Sequence, residues 1–274
     1  QFRPGETRQA SRIGRLHSRP VSLFKSASTV SLLTLSSRIT GLVRDVLFSS
    51  VFGVSALTDA FNVAFRIPNL FRRVLGEGAF AQAFVPVLAA TRTEGGDAGA
   101  KALVDHVGTL LTWTLVLLCV LGVVAAPAMV WAMASGLVKS GGFDASVLMT
   151  RWMFPYIGFM SLVAFAGGIL NTWKQFAVPA ASPVLLNVAL ITSILVGAPL
   201  FRRWGIEPIY AQCVGVMVGG LLQLAIQLPA LRRLGMLPRI GVRLAALREA
   251  WQDPTTRKIV KLMLPALIGV SGAQ

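Results

Sequence analysis

Apolar residues run through this chain in long blocks, separated by short polar or basic stretches. A spanning helix needs about twenty largely apolar residues. Blocks of that order occupy residues 24–51, 57–76, 103–136, 152–173, 179–201 and 208–231, so the pattern predicts six spanning helices. The third, VGTLLTWTLVLLCVLGVVAAPAMVWAMASGL, lies between His106 and Lys139 without a charge. The sixth holds Gly215 and Gly219, a GxxxG spacing that lets helices approach closely. Residues 79–91, AFAQAFVPVLAAT, are too short to span and are expected to extend the second helix or lie in the interface. Beyond residue 231 the Leu, Ala and Arg spacing predicts an amphipathic stretch on the membrane surface. A further apolar run, IVKLMLPALIGVSGAQ, then stops after about sixteen residues, short of a span. The chain therefore reads as an all-α, polytopic membrane helical bundle. Its expected parts are a basic disordered tail (1–22), a six-helix lobe (23–231), a basic amphipathic linker (232–256) and the truncated start of a seventh helix (257–274).

Composition agrees with that pattern. Of 274 residues 54% are hydrophobic and 14% charged, with mean hydropathy +0.68, against about a quarter charged in soluble domains. The net charge of +15 would suggest nucleic acid in a soluble protein. Here the basic residues fall between apolar blocks, which points to loops at an anionic leaflet, and no nucleic-acid partner is expected. The amino-terminal tail and the segment 231–261 are the basic stretches. The positive-inside bias makes both cytoplasmic, which requires an even number of spans; Arg202 and Arg203 run against it. Arg38 and Arg44 interrupt the first block too early for a signal peptide. Cys119 and Cys213 sit in apolar blocks, and with only His17 and His106 beside them no metal site is expected. Neither a phosphate-binding GxxxxGK[ST] loop nor an HExxH pair occurs, so no cofactor is expected.

Candidate chemistry lies in the first two blocks. On a helical wheel of about 100° per residue, Ala27, Ser31, Thr34, Gly41, Asp45 and Ser49 fall within about 60° of Arg38, while Arg44 lies roughly 120° away beside Ser37. In the second block Asp59, Arg66 and Arg73 recur every seven residues, with Asn62 and Asn69 on the same side. An antiparallel pairing of the two helices would set Arg38 at the depth of Asn69, and Arg44 and Asp45 near Asn62. An Arg at mid-bilayer facing lipid costs about 2.5–3.5 kcal/mol, so these side chains must face a bundle interior or a wet cavity. Two readings stay open. The arginines could be structural locks paired with Asp45 and Asp59. Alternatively, five of them (Arg38, Arg44, Arg66, Arg72, Arg73) against two aspartates leave positive charge for an anion, and guanidinium grips phosphate bidentately.

The runs SLFKSASTVSLLTLSSRITGLVRDVLFSSVFG and TDAFNVAFRIPNLFRRVLGEGAFAQAFVPVL closely resemble the start of the MurJ (MviN) family. These are bacterial flippases of the multidrug/oligosaccharidyl-lipid/polysaccharide exporter superfamily, and they move the lipid-linked peptidoglycan precursor, lipid II. FPYIGFMSLVAFAGGILNTW, FAVPAASPVLLN and LPALIGVSGAQ extend the resemblance to about residues 22–274. It implies two helical lobes around a central cavity, about fourteen spans in all, of which this chain supplies the first lobe. By motif match the family's essential cavity cations fall on Arg38, Arg44 and Arg72 and its aspartate on Asp59. Asp45, Ser37 and Asn187 are further cavity positions. The implied activity is alternating-access transport across the bacterial cytoplasmic (inner) membrane, by a monomer whose partners are the lipid-linked precursor and membrane lipids. It is not an enzyme activity, and the fragment alone is not expected to transport. The natural start is expected near Val21. Rival readings are an exporter of drugs or another polyprenyl-linked glycan, a membrane-embedded glycosyl- or phosphotransferase, and a lipid-binding scaffold.

Overall fold

The computed structural model describes residues 20–71, 80–134, 136 and 141–272, and all regular structure among them is helical. Helix α1 (Pro20–Phe52) has 33 residues, about 50 Å at about 1.5 Å per residue. It stops at Gly53, where φ is 59° and the amide donates to the Ser49 carbonyl at 3.1 Å; glycine takes this left-handed geometry without a Cβ penalty. Ser55 opens α2 (Ala56–Phe71), its hydroxyl accepting the Thr58 N–H at 3.1 Å, which satisfies one of the helix's orphan donors.

Helix α3 (Ala81–Ala134) has two arms that meet at Gly96, where φ is 64° and ψ −165°, a conformation essentially confined to glycine. Arg92 braces the elbow. Its Nε donates to Asp97 at 3.0 Å, its Nη1 to the Thr172 carbonyl at 3.2 Å, and its guanidinium lies 4.3 Å from the Trp173 ring centre. From Ala81 onward the stretch 79–91 is the first arm of α3, with Phe84 and Leu88 fully buried. Its apolar face packs on Phe165, Ile169 and Leu170, and residues 72–79, which join it to α2, lie outside the described residues.

Helices α4 (Phe143–Met153) and α5 (Tyr156–Thr172) follow each other with a break at Phe154–Pro155, where proline offers no N–H. Helix α6 (Ala177–Thr192) runs through a π turn (Ser193–Gly197) into α7 (Ala198–Arg203). Helices α8 (Tyr210–Ala225) and α9 (Leu228–Arg233) precede α10 (Leu244–Gln252) and α11 (Pro254–Gly272). The last begins at Pro254 rather than 257, because the Asp253 carboxylate accepts the Thr256 N–H and hydroxyl at 2.7 and 2.6 Å. Among the described residues four segments are long and apolar enough to cross a membrane: Ala81–Ala134, Phe143–Thr172, Ala177–Arg203 and Tyr210–Arg233. The other two of the six expected, α1 and α2, carry Arg38, Arg44, Asp45, Asp59 and Arg66. Leu32, Ile39, Leu42, Leu117, Leu121 and Val124 are exposed, as suits helices bathed in lipid rather than water.

Packing places α1 along α6, and α2 along α4. The GxxxG pair works as its spacing suggests: a Cβ on Gly219 would lie 2.6 Å from Leu186 Cδ1 and 3.2 Å from Leu186 Cα, so α8 and α6 meet almost backbone to backbone. An antiparallel pairing of α1 and α2 along their length does not form among the described residues. They touch near their connecting turn, where the Phe48 and Phe61 ring centres are 5.4 Å apart, and elsewhere each follows its own partner helix. The linker is tied to α3. Asp105, ion-paired with Lys101, accepts the Arg239 N–H at 2.7 Å, and Trp113 Nε1 donates to the Gly241 carbonyl at 2.9 Å.

Candidate cationic cavity

The edge of α1 that meets α6 carries Ser37, Thr40, Gly41 and Arg44, all partly buried. Asn187 on α6 bonds to three of them. Its amide nitrogen donates to the Ser37 carbonyl at 2.9 Å and to Thr40 Oγ1 at 3.2 Å, and its oxygen accepts Arg44 Nη1–H at 2.9 Å. From the other side Asp45 Oδ1 accepts Arg44 Nε–H at 2.9 Å and Nη2–H at 2.7 Å. The guanidinium is thus held between a carboxylate and an amide.

Arg44 and Asp45 open onto a cavity of about 200 Å³. Phe48, Phe61 and Phe65 form its apolar wall, with Asn62, Leu190 and Gln212 completing it. Sites for drug-sized ligands run to about 300–1,000 Å³, so this space suits a phosphate-sized group better than a whole amphiphile. The predicted proximity of Arg44 and Asp45 to Asn62 is present. Arg38, Asp59 and Arg66 are exposed, and none makes a side-chain hydrogen bond or ion pair among the described residues. Asp45 thus pairs with Arg44 as the lock reading expects, while Asp59 pairs with none of Arg38, Arg44 and Arg66. Arg72 and Arg73 lie outside the described residues. Ser37 contributes its backbone carbonyl to Asn187. Asn187 is 6% exposed and sits behind the cavity rather than in its wall.

Gln212 was not singled out from the sequence. It is 1% exposed, and its Nε2 donates to Ser193 Oγ at 2.8 Å while the side chain borders the cavity. The available signal was an amide inside an apolar block, where an unbonded polar group is costly.

The chain was compared with known proteins. A family model described as lipid II flippase MurJ matches residues 48–274. The lipid II flippase MurJ of Burkholderia cenocepacia is 48% identical over 256 residues, covering 93% of this chain and 48% of that protein. A Vibrio cholerae protein described as a probable lipid II flippase MurJ is 37% identical over 260 residues, covering 92% and 47%. A solved lipid II flippase MurJ in an inward closed conformation superposes with TM-score 0.67 at 24% identity, over 89% of this chain and 48% of that one, a likeness of fold. The chain spans about half the length of the curated relatives it matches.

Proposed function

This chain belongs to the lipid II flippase MurJ family, and from that premise we propose that it forms the amino-terminal lobe of a flippase for the lipid-linked peptidoglycan precursor. The protein would carry that precursor from the inner to the outer leaflet of the bacterial inner membrane, as a multi-pass monomer with a cytoplasmic amino terminus. The observation that carries the proposal is the cavity onto which Arg44 opens. Arg44 keeps part of its donor capacity free beside a phosphate-sized space, and exposed Arg38 and Arg66 have no described partner. Unpaired cations are costly within a bilayer, and an anionic guest offsets that cost. The precursor's diphosphate has the matching charge and bidentate oxygens. Its polyprenyl tail would stay among the exposed leucines and valines while the headgroup crosses inside. Arg72 is proposed as a further headgroup contact by motif match. Asp59 and Asp45 would moderate the field, and Ser37 and Asn187 would hold the local geometry. Transport would proceed by rocking this lobe against the remainder of the protein, exposing the site to each side in turn. No bond is made or broken.

The test uses the full-length protein reconstituted with labelled lipid II. Arg38→Ala and Arg44→Ala are each expected to insert normally and to lower translocation at least about tenfold, the loss of one charged hydrogen-bonding group. Wild-type translocation by both variants would overturn the proposal. Recovery of a chemically altered lipid would favour a transferase.

A further inference from the structure

We propose that Asn187 is a positioning residue, which from α6 fixes the Arg44 guanidinium so that its uncommitted N–H groups stay available to the cavity, without touching the guest itself. This rests on the functional reading above. Asn187 interrupts the otherwise apolar stretch PVLLNVALI and is 6% exposed, a place where an amide is costly unless bonded. Both amide hydrogens are spent on α1, on the Ser37 carbonyl and on Thr40 Oγ1. Thr40's own proton goes to the Ser36 carbonyl at 2.8 Å, so Oγ1 can only accept from Asn187. The amide is thereby oriented, and its oxygen is left for Arg44 Nη1 at 2.9 Å. Gly41 lies beside the amide, where a Cβ would sit 3.6 Å from Asn187 Nδ2 in ordinary van der Waals contact.

A guanidinium has five N–H groups. Three are engaged, two with Asp45 and one with Asn187, and two remain, one on each terminal nitrogen. If the Asn187 acceptor is lost, nothing else among the described residues holds Nη1. The guanidinium is then free to turn onto both oxygens of Asp45, in the two-point pairing that arginine and carboxylate favour. Its cationic edge would leave the guest. On this inference Asn187 affects the guest by way of Arg44, and that sets its test apart from a packing role.

Binding of farnesyl diphosphate is measured to the full-length protein in phosphatidylcholine nanodiscs, for the wild type, Asn187→Leu, Arg44→Ala and the double variant. Asn187→Leu is expected to weaken binding about tenfold, the scale of one hydrogen bond to a charged group. In the Arg44→Ala background the same change is expected to cost nothing more, since the two act as one unit. An equal loss in both backgrounds, or no loss in either, overturns the inference while leaving the functional reading intact. Failure of the wild type to bind the probe overturns the functional reading and the inference with it. Asn187→Asp gives a second readout should the leucine variant fold poorly. It keeps an oxygen facing Arg44 but removes the N–H donors to Ser37 and Thr40 and adds a carboxylate near Asp45, so binding at neutral pH should be weaker than in the wild type. Binding by Asn187→Asp that matches wild type at neutral pH overturns the inference.

Discussion

Arg44 and Asp45 are sequence neighbours with different surroundings: their side chains are 26% and 65% exposed. A pair so open to its surroundings holds with at most about 1 kcal/mol, weak enough for an anionic guest to compete with the carboxylate. Asp45→Asn keeps an oxygen that can accept from the guanidinium but removes the opposing charge. It is expected to tighten diphosphate binding by no more than about fivefold, measured by titration with farnesyl diphosphate. Weakened binding would show that Asp45 orients Arg44 rather than competing for it. At this scale the sequence was informative about type and poor about partners. Helical phase put Arg44 beside Ser37 on one edge of α1, and that edge is the one that packs. The partner that matters, Asn187, lies 143 residues away, and no local pattern could join it to Arg44. It was reached through resemblance of the motif around it, and its role as a brace needed coordinates.

At the scale of elements, the apolar blocks marked nearly every helix, because burial from water dictates length and hydropathy in a span. Their breaks were harder to read. Glycine at 96 turns α3 by its positive φ, yet TEGGDAGA gives no sign of whether its glycines end a helix or bend one. The GxxxG of α8 was a weak signal that carries close packing here. Gly219→Val would force side-chain atoms into Leu186, whose Cα already lies 3.2 Å from the site of a Cβ. Helix backbone cannot yield as a flexible side-chain tip can. The variant is expected to destabilise the lobe by about 1–3 kcal/mol, seen as a lower midpoint of thermal unfolding in detergent. Gly136→Val, where nothing lies within 4 Å of a Cβ, serves as the control that should leave the midpoint in place. An equal shift for both would remove close α6–α8 packing as the cause.

Across the molecule, the arrangement of α1 and α2 decides how a headgroup could reach Arg44. A tight antiparallel pair would bury the charged stripes against each other and match Arg38 with the end of α2. Instead α1 is held by α6 and α2 by α4, so the two part beyond the Phe48–Phe61 contact. On the functional reading the space between them, lined by Arg44, Phe61, Asn62 and Phe65, is the path by which an anion would reach Arg44. Cysteine pairs test the shape. With Cys119 and Cys213 replaced by serine, Phe48→Cys/Phe61→Cys should cross-link readily with a short bifunctional maleimide, since those ring centres are 5.4 Å apart. Ile39→Cys/Leu70→Cys occupies matching depths and two exposed positions, and it should link poorly in the absence of substrate. Packed helices lie about 8–10 Å apart along their whole contact, so a tight pair would give similar yields at both levels. Similar yields would therefore mean that no cleft separates the helices, and the anion would need another route to Arg44.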